Sequence, residues 1–343
     1  MLSRCAACGI DIHAHVVPEH FPAYLGRKMP SPWPSTAAAP DAKGLCHRHV
    51  MIAGKHYRTV SEQCWSAPRR LADLPAMGLA TQVVSPMPEL LSYWLDIADA
   101  KELIRFLNEQ TAAICAESNG QLLGLAAVPL QDVDAALSEL RHAKEALGLV
   151  GVELGSHVNG TPLADARHDA FFEACTALDL PVFVHALKPT GMDRLVGPAP
   201  LEQVLGYSTD VGLAAAAAIT GGLLLRHSRL RIAFSHGGGT LAMLLPRLQQ
   251  GWKTFPALAE SIAESPVEQA RRMFFDTLVY DAPTLRHLLA TFGERALMLG
   301  TDYPFNFHEP RPLARLDEAG FDAATTQALA FGNARRFLGL ESA

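Results

Sequence analysis

Along this chain, short apolar runs alternate with longer stretches in which apolar residues recur at helical spacing. The runs are, in order, a first segment ending in DIHAHVV, then TQVVSPM, LLGLAAVPL, LVGVELGS, PVFVHA, RIAFSHGGG, MFFDTLVY and ALMLGTDYPF. They are rich in Val, Ile, Leu and Phe and alternate little with polar residues, as strands covered on both faces do. Helices are predicted over Tyr93–Ser118, Asp132–Ala146, Ala166–Leu178, about Leu201–Arg226, Thr240–Gln250, Ala282–Thr291 and Ala323–Leu338. Eight strands, each followed by helical sequence, predict an α/β fold: a parallel (β/α)8, TIM-like barrel with residues 1–343 as one domain. A doubly wound sheet is the runner-up, but no GxGxxG follows an early strand.

Residues 16–66 interrupt the alternation. FPAYLGRKMPSPWPSTAAAPDAKG is rich in Pro, Ala and Gly, and HVMIAGKHYRTVS reads as a polar hairpin. An insertion of this length after the first strand is expected to act as a lid or binding segment.

Composition narrows the partner. With 343 residues, 49% of them hydrophobic, the chain can bury a large core. A formal net charge of −6 and the lack of a dense Lys/Arg tract exclude the electrostatic footprint of a nucleic-acid binder and favour a small-molecule partner. The apolar run Val211–Leu225 falls short of the ~20 residues of a membrane span and reads as a buried helix. The opening MLSRCAACGID carries no secretory apolar region, so a cytoplasmic location is expected. Six scattered cysteines, Cys5, Cys8, Cys46, Cys64, Cys115 and Cys175, fit reduced thiols there. The Cys5/Cys8 pair has no second pair with which to build a structural zinc site. Cys46, His47 and His49 in LCHRHV read as a solvated loop.

In a parallel barrel, chemistry gathers at the C-terminal ends of the strands. There the first strand ends in His13 and His15, which share a face because side chains alternate along a strand. The fifth ends in His185, the sixth in His236 and the eighth in Asp302. Neutral imidazoles with a carboxylate suit zinc, with manganese or iron as alternatives. If His13, His15, His185 and Asp302 ligate the ion, His236 is left as an acid or base. The SHGGGT segment, a glycine run opening a helix, also raises the option of a phosphate-binding turn.

The segments DIHAHVVP, YRTVSEQCW, VPLQDVDAA, GVELGSHVNG, VFVHA, FSHGGG, LGTDYPF and GNARRFLGLE, in this order, resemble the metal-dependent amidohydrolase superfamily. Within it they are similar to the branch typified by 2-amino-3-carboxymuconate-6-semialdehyde decarboxylase. The resemblance implies zinc on His13, His15, His185 and Asp302, with His236 as the catalytic histidine beside the metal's water. It further implies Arg58 and Arg247 as carboxylate-binding residues, Arg247 reaching the neighbouring subunit's site in a homodimer. The implied activity is non-oxidative decarboxylation of a small unsaturated or aromatic carboxylic acid. A zinc hydrolase or hydratase of an amide, ester, lactone or activated C–C bond is the first alternative, and a non-catalytic metal-binding protein the second. Two departures stand out. HALKP follows the fifth strand where the branch has Pro and Trp, and Glu153 stands on the fourth strand where an amide is expected. Glu153 could bridge a second metal, or equally bond to Lys188 or the barrel wall; Lys188, three residues past the fifth strand, is not placed to be a bridging carbamate.

Overall fold

The computed structural model describes residues 9–26, 31–40 and 46–340. Eight parallel strands form one sheet in the order β1 (Gly9–Val16), β5 (Leu79–Pro86), β6 (Leu122–Ala126), β7 (Gly151–Gly155), β10 (Val182–His185), β11 (Ile232–Phe234), β12 (Phe274–Asp276) and β13 (Leu297–Met298). The last strand returns to the first: the Ile12 amide donates to the Leu299 carbonyl at 2.9 Å, and the His15 amide to the Tyr303 carbonyl at 2.8 Å. This is the expected barrel. Every residue of β1, β7, β10, β11, β12 and β13 is buried, which explains why these strands read as continuous apolar runs.

The insertion is more ordered than a loop. Strands β2 (Pro34–Ala38), β3 (His47–Ile52) and β4 (Lys55–Ser61) form an antiparallel sheet. Its β3–β4 hairpin turns through Ala53 and Gly54, both with positive φ, a geometry whose twist matches the flanking strands. The solvated-loop reading of His47 and His49 is thereby corrected: both lie within β3, and His49 Nδ1 pairs with Thr59 Oγ1 at 2.8 Å. A further two-stranded ribbon, β8 (His157–Val158) and β9 (Thr161–Pro162), follows β7. The Cys5/Cys8 pair lies outside the described residues. Cys46, Cys64, Cys115 and Cys175 are free thiols.

The helices differ from expectation mainly at their ends. The helix expected from Tyr93 begins at Ile97, because Tyr93 is buried with its hydroxyl accepting the Gly155 amide at 3.1 Å. The long helical region after β10 breaks at Gly222, whose φ is 65°. Its main helix, Tyr207–Thr220, is not wholly buried as expected, since Leu213 is 58% exposed. The final helix is interrupted by a wide turn over Ala328–Gly332, where the Leu329 carbonyl accepts the Leu299 amide at 3.2 Å instead of closing a regular turn. Helices at Ala67–Met77 and Pro312–Ala319 escaped the sequence pattern. No described helix is long and apolar enough to cross a membrane.

Candidate metal centre and pocket

His13 and His15 end β1 on one face, and their Nε2 atoms lie 3.1 Å apart. His185, the last residue of β10, turns its ring to within 5.1 Å of both, centroid to centroid. Asp302 follows β13 in a left-handed conformation (φ 63°), with its amide on the His13 carbonyl at 2.8 Å. That contact carries its carboxylate inward, placing Oδ1 3.1 Å from His15 Nε2 and 3.6 Å from His13 Nε2. One ligand atom from each of these four residues falls within 4.8 Å of all the others. His185 Nε2 and Asp302 Oδ1 are buried without hydrogen-bond partners. Buried acceptors are normally satisfied, so a converging set of unpaired ones fits a cation.

The neighbouring hydrogen bonds set the tautomers. The His13 Nδ1–H donates to Asp276 Oδ2 at 2.6 Å, and the His185 Nδ1–H to the Ala186 carbonyl at 2.9 Å, leaving both Nε2 lone pairs facing the centre. Asp276, which ends β12, also accepts the amides of His236, Gly237 and Leu278 at 2.9, 2.7 and 3.0 Å. Its signal is present in the sequence, since MFFDTLVY is another apolar strand with a carboxylate at its end. Asp11 does similar work below, accepting the His13 amide at 3.0 Å, Thr301 Oγ1 at 2.6 Å and Gln82 Nε2 at 2.8 Å. Arg70, fully buried, donates to Gln82 Oε1 at 2.6 Å and to the His15 carbonyl.

Electrostatics keep two of the imidazoles neutral beside one ionised carboxylate. Burial pulls His15 and His185 down to about 4. Burial is the largest influence on His13 and disfavours its charged form, but the hydrogen bond to Asp276 and the charges of Asp276, Asp302 and Asp11 together outweigh it and raise the imidazole's pKa. Burial pushes the Asp302 carboxyl up, yet His15, His13 and His185 hold it well below the usual carboxylate range. Glu153 is driven far upward by burial. It sits on the Nδ1 side of His15, 3.9 Å away, and both of its carboxylate oxygens are buried without hydrogen-bond partners.

His236 stands beside the group without joining it, its ring 5.0 Å from His185 and 5.3 Å from His13. Its φ is 52°, a conformation costly for a side chain with a Cβ, and Asp276 holds its amide. Nε2 is buried and unpartnered. Burial, then the His185 and His13 rings, pull its pKa to about 3, so the imidazole is neutral at ordinary pH. The adjoining glycines are not a phosphate turn. Their amides are already engaged, Gly237 with Asp276, Gly238 with the Ser235 carbonyl and Gly239 with the His236 carbonyl. They serve close packing: a Cβ on Gly239 would lie 1.8 Å from the Ser208 carbonyl oxygen.

These groups open into a cavity of about 280 Å³. Arg58, from β4 of the insertion, lines it with its guanidinium 4.0 Å over the Phe305 ring. Glu89, Tyr207, Tyr280 and Phe307 complete much of the wall. Sequence reasoning has no signal for Glu89 or Tyr207, whose places depend on how the loop after β5 and the helix at Tyr207–Thr220 meet. Lys188 instead lies over Trp94, Nζ 3.3 Å from the ring centroid, outside the cavity lining. Arg247 is exposed on the helix Leu241–Thr254 and does not line its own subunit's cavity.

The amidohydrolase family model matches residues 10–340. A 2-amino-3-carboxymuconate-6-semialdehyde decarboxylase of Dictyostelium discoideum is 32% identical over 334 residues, covering 97% of this chain and 92% of that protein. A gamma-resorcylate decarboxylase of Rhodococcus jostii is 30% identical, covering 60% of this chain and 67% of its own length. Among solved structures, the Metarhizium anisopliae IDCase superposes with a TM-score of 0.84 at 20% identity over 100% of both chains. A manganese-bound dihydroxybenzoic acid decarboxylase from Polaromonas superposes with a TM-score of 0.77 at 20% identity over 98% of both. The chain belongs to the amidohydrolase family, and within it to the branch of metal-dependent, non-oxidative decarboxylases.

Proposed function

We propose that His13, His15, His185 and Asp302 hold one divalent ion, that His236 handles the proton, and that Arg58 receives a carboxylate of a small aromatic or unsaturated acid. The observation that carries this reading is His236 Nε2, buried and unpartnered beside the converging ligands and in the same cavity as Arg58. When bound, the ion supplies Lewis acidity that lets the substrate accept the electrons released by departing CO2. Breaking the C–C bond leaves its electron pair on the substrate, so a proton must reach that carbon. Neutral His236 can take a proton from solvent or substrate and return it there. Arg58, held over the Phe305 ring, offers a paired N–H face to a carboxylate.

Three imidazoles and a carboxylate make zinc the preferred ion. Manganese, which the Polaromonas enzyme holds, is the competitor. The exposed Leu213, Met243 and Leu244 lie on the packed helices Tyr207–Thr220 and Leu241–Thr254, the second of which carries Arg247. This apolar patch supports a homodimer in which Arg247 enters the partner's pocket, with the 16–66 segment as lid. A cytoplasmic setting suits the free thiols. The test is CO2 release from a panel of aromatic and muconate-type carboxylates by metal-replete protein, abolished by a chelator and restored by zinc or manganese. Hydrolysis of amides or lactones with no CO2 from any acid would overturn the proposal.

A further inference from the structure

Little in the Arg58 side chain fixes its own position. Among the described residues it makes no hydrogen bond or ion pair, and its guanidinium lies 4.0 Å over the Phe305 ring and 5.7 Å over that of Tyr57. A long side chain that is free to turn loses rotamer entropy when it grips a ligand, so what holds its base matters to affinity. The hairpin pairing supplies the first restraint. Val50 pairs with Arg58 and Met51 with His56, which leaves Tyr57 as an extra residue on β4, a β-bulge. Neighbours on a regular strand point to opposite faces, but across this bulge Tyr57 and Arg58 both reach the barrel mouth.

The second restraint is an anchor on the barrel. The Tyr57 hydroxyl donates to Oε1 of Glu89, in the turn Pro88–Leu91 that follows β5. The same oxygen accepts the Tyr207 hydroxyl at 2.6 Å, and the two phenol oxygens are 3.4 Å apart. Burial pushes the Glu89 carboxyl up, but the charge of Arg58 and the two phenols outweigh it and hold the group below the usual carboxylate range. Both hydroxyls therefore bond to an ionised acceptor, the stronger kind of hydrogen bond. Arg58, Glu89 and Tyr207 line the cavity, and Tyr57 stands outside that lining. We infer that Tyr57 is a positioning residue: its bulge and its bond to Glu89 fix the stretch of β4 from which Arg58 reaches over Phe305, so a side chain outside the pocket sets the pocket's affinity for a carboxylate. The inference rests on the proposed reading of Arg58 as the carboxylate's partner.

The test is a double-mutant cycle read by calorimetric binding of benzoate to the metal-loaded full chain, using wild type, Tyr57→Phe, Arg58→Ala and the double variant. Arg58→Ala should weaken benzoate about tenfold or more, the loss expected of a hydrogen bond between charged groups. Tyr57→Phe keeps the ring and leaves Tyr207 on Glu89, so the fold and the metal content are retained. It should weaken benzoate about three- to tenfold, the range of one net hydrogen bond, and by less than about twofold once Arg58 is already alanine. A larger loss in the Arg58→Ala background would show that Tyr57 acts without Arg58 and would overturn the inference. So would a loss under about threefold from Tyr57→Phe alone. Benzoate that fails to bind wild type, or binds Arg58→Ala equally well, would bring down the carboxylate reading of Arg58 and this inference with it; a cycle without coupling would bring down the inference alone. Because binding is read, an absence of CO2 release leaves the outcome interpretable.

Discussion

Asp276→Asn should strip the centre of much of its metal affinity while replacing one oxygen by nitrogen. The carboxylate accepts four hydrogen bonds, the Gly237 and Leu278 amides at Oδ1, and the His236 amide and His13 Nδ1–H at Oδ2. An asparagine keeps the first two by placing its carbonyl oxygen at the Oδ1 position. Its NH2 then faces the His236 amide, donor against donor, and offers His13 Nδ1 a hydrogen instead of accepting one. His13 responds by carrying its proton on Nε2, the nitrogen that must face the ion. A hydrogen bond to a charged group is worth about 1.5–3 kcal/mol, or roughly 10- to 150-fold in metal affinity, matching the loss typical of such supporting partners. The unpaired His236 amide should cost a further 1–3 kcal/mol or so of folding stability. Competition against a chromogenic chelator at neutral pH measures the first effect and a melting curve the second. A folded Asp276→Asn protein with wild-type metal affinity would refute the tautomer argument.

Four further outcomes are expected. His236→Gln should retain its metal by elemental analysis yet turn over ~10²–10⁴-fold more slowly, and a wild-type rate would remove His236 from the chemistry. Mixing Arg247→Ala with His236→Ala should restore part of the activity after subunit exchange, because one site of a mixed dimer carries neither defect; no recovery after proven exchange would confine Arg247 to its own subunit. Stability of the chelator-treated protein should rise with pH between about 4 and 6.5, since His15, His185 and His236 stay unprotonated in the fold there while the unfolded chain binds protons. For each imidazole the gain is at most about 1.4 kcal/mol per pH unit across that window, offset in part by Asp11 and Glu153, whose carboxyls burial raises, and a melting temperature that falls across it would refute the burial of neutral imidazoles. Gly239→Ala, with φ at +56° and a Cβ 1.8 Å from the Ser208 carbonyl oxygen, should lose about 2 kcal/mol or more in a denaturant titration, and an unchanged midpoint would count against the tight glycine turn.

What can be read in the sequence is whatever repeats locally. Buried parallel strands must be apolar throughout, so an ionisable residue at a strand end is conspicuous, and His13, His15, His185, His236 and Asp302 can be found that way. Asp276 obeys the same rule but does not stand out, because a lone Asp before a turn is commonplace. The insertion's hairpin is visible in alternation and turn chemistry, but its third strand, Pro34–Ala38, sits in a Pro-rich stretch that local propensity assigns to loop. Only the tertiary structure decided which residues meet across elements. Glu89, Tyr57 and Tyr207 come from a turn, a hairpin and a helix more than 100 residues apart at the extremes, and no local pattern encodes their convergence. The same holds for Arg58 on Phe305 and for Lys188 on Trp94, since such pairings depend on how loops fold over the barrel mouth. Strand ends are placed by the barrel's own geometry, whereas the walls of the pocket are placed by packing between segments distant in the chain, and that packing leaves no periodic trace in the sequence.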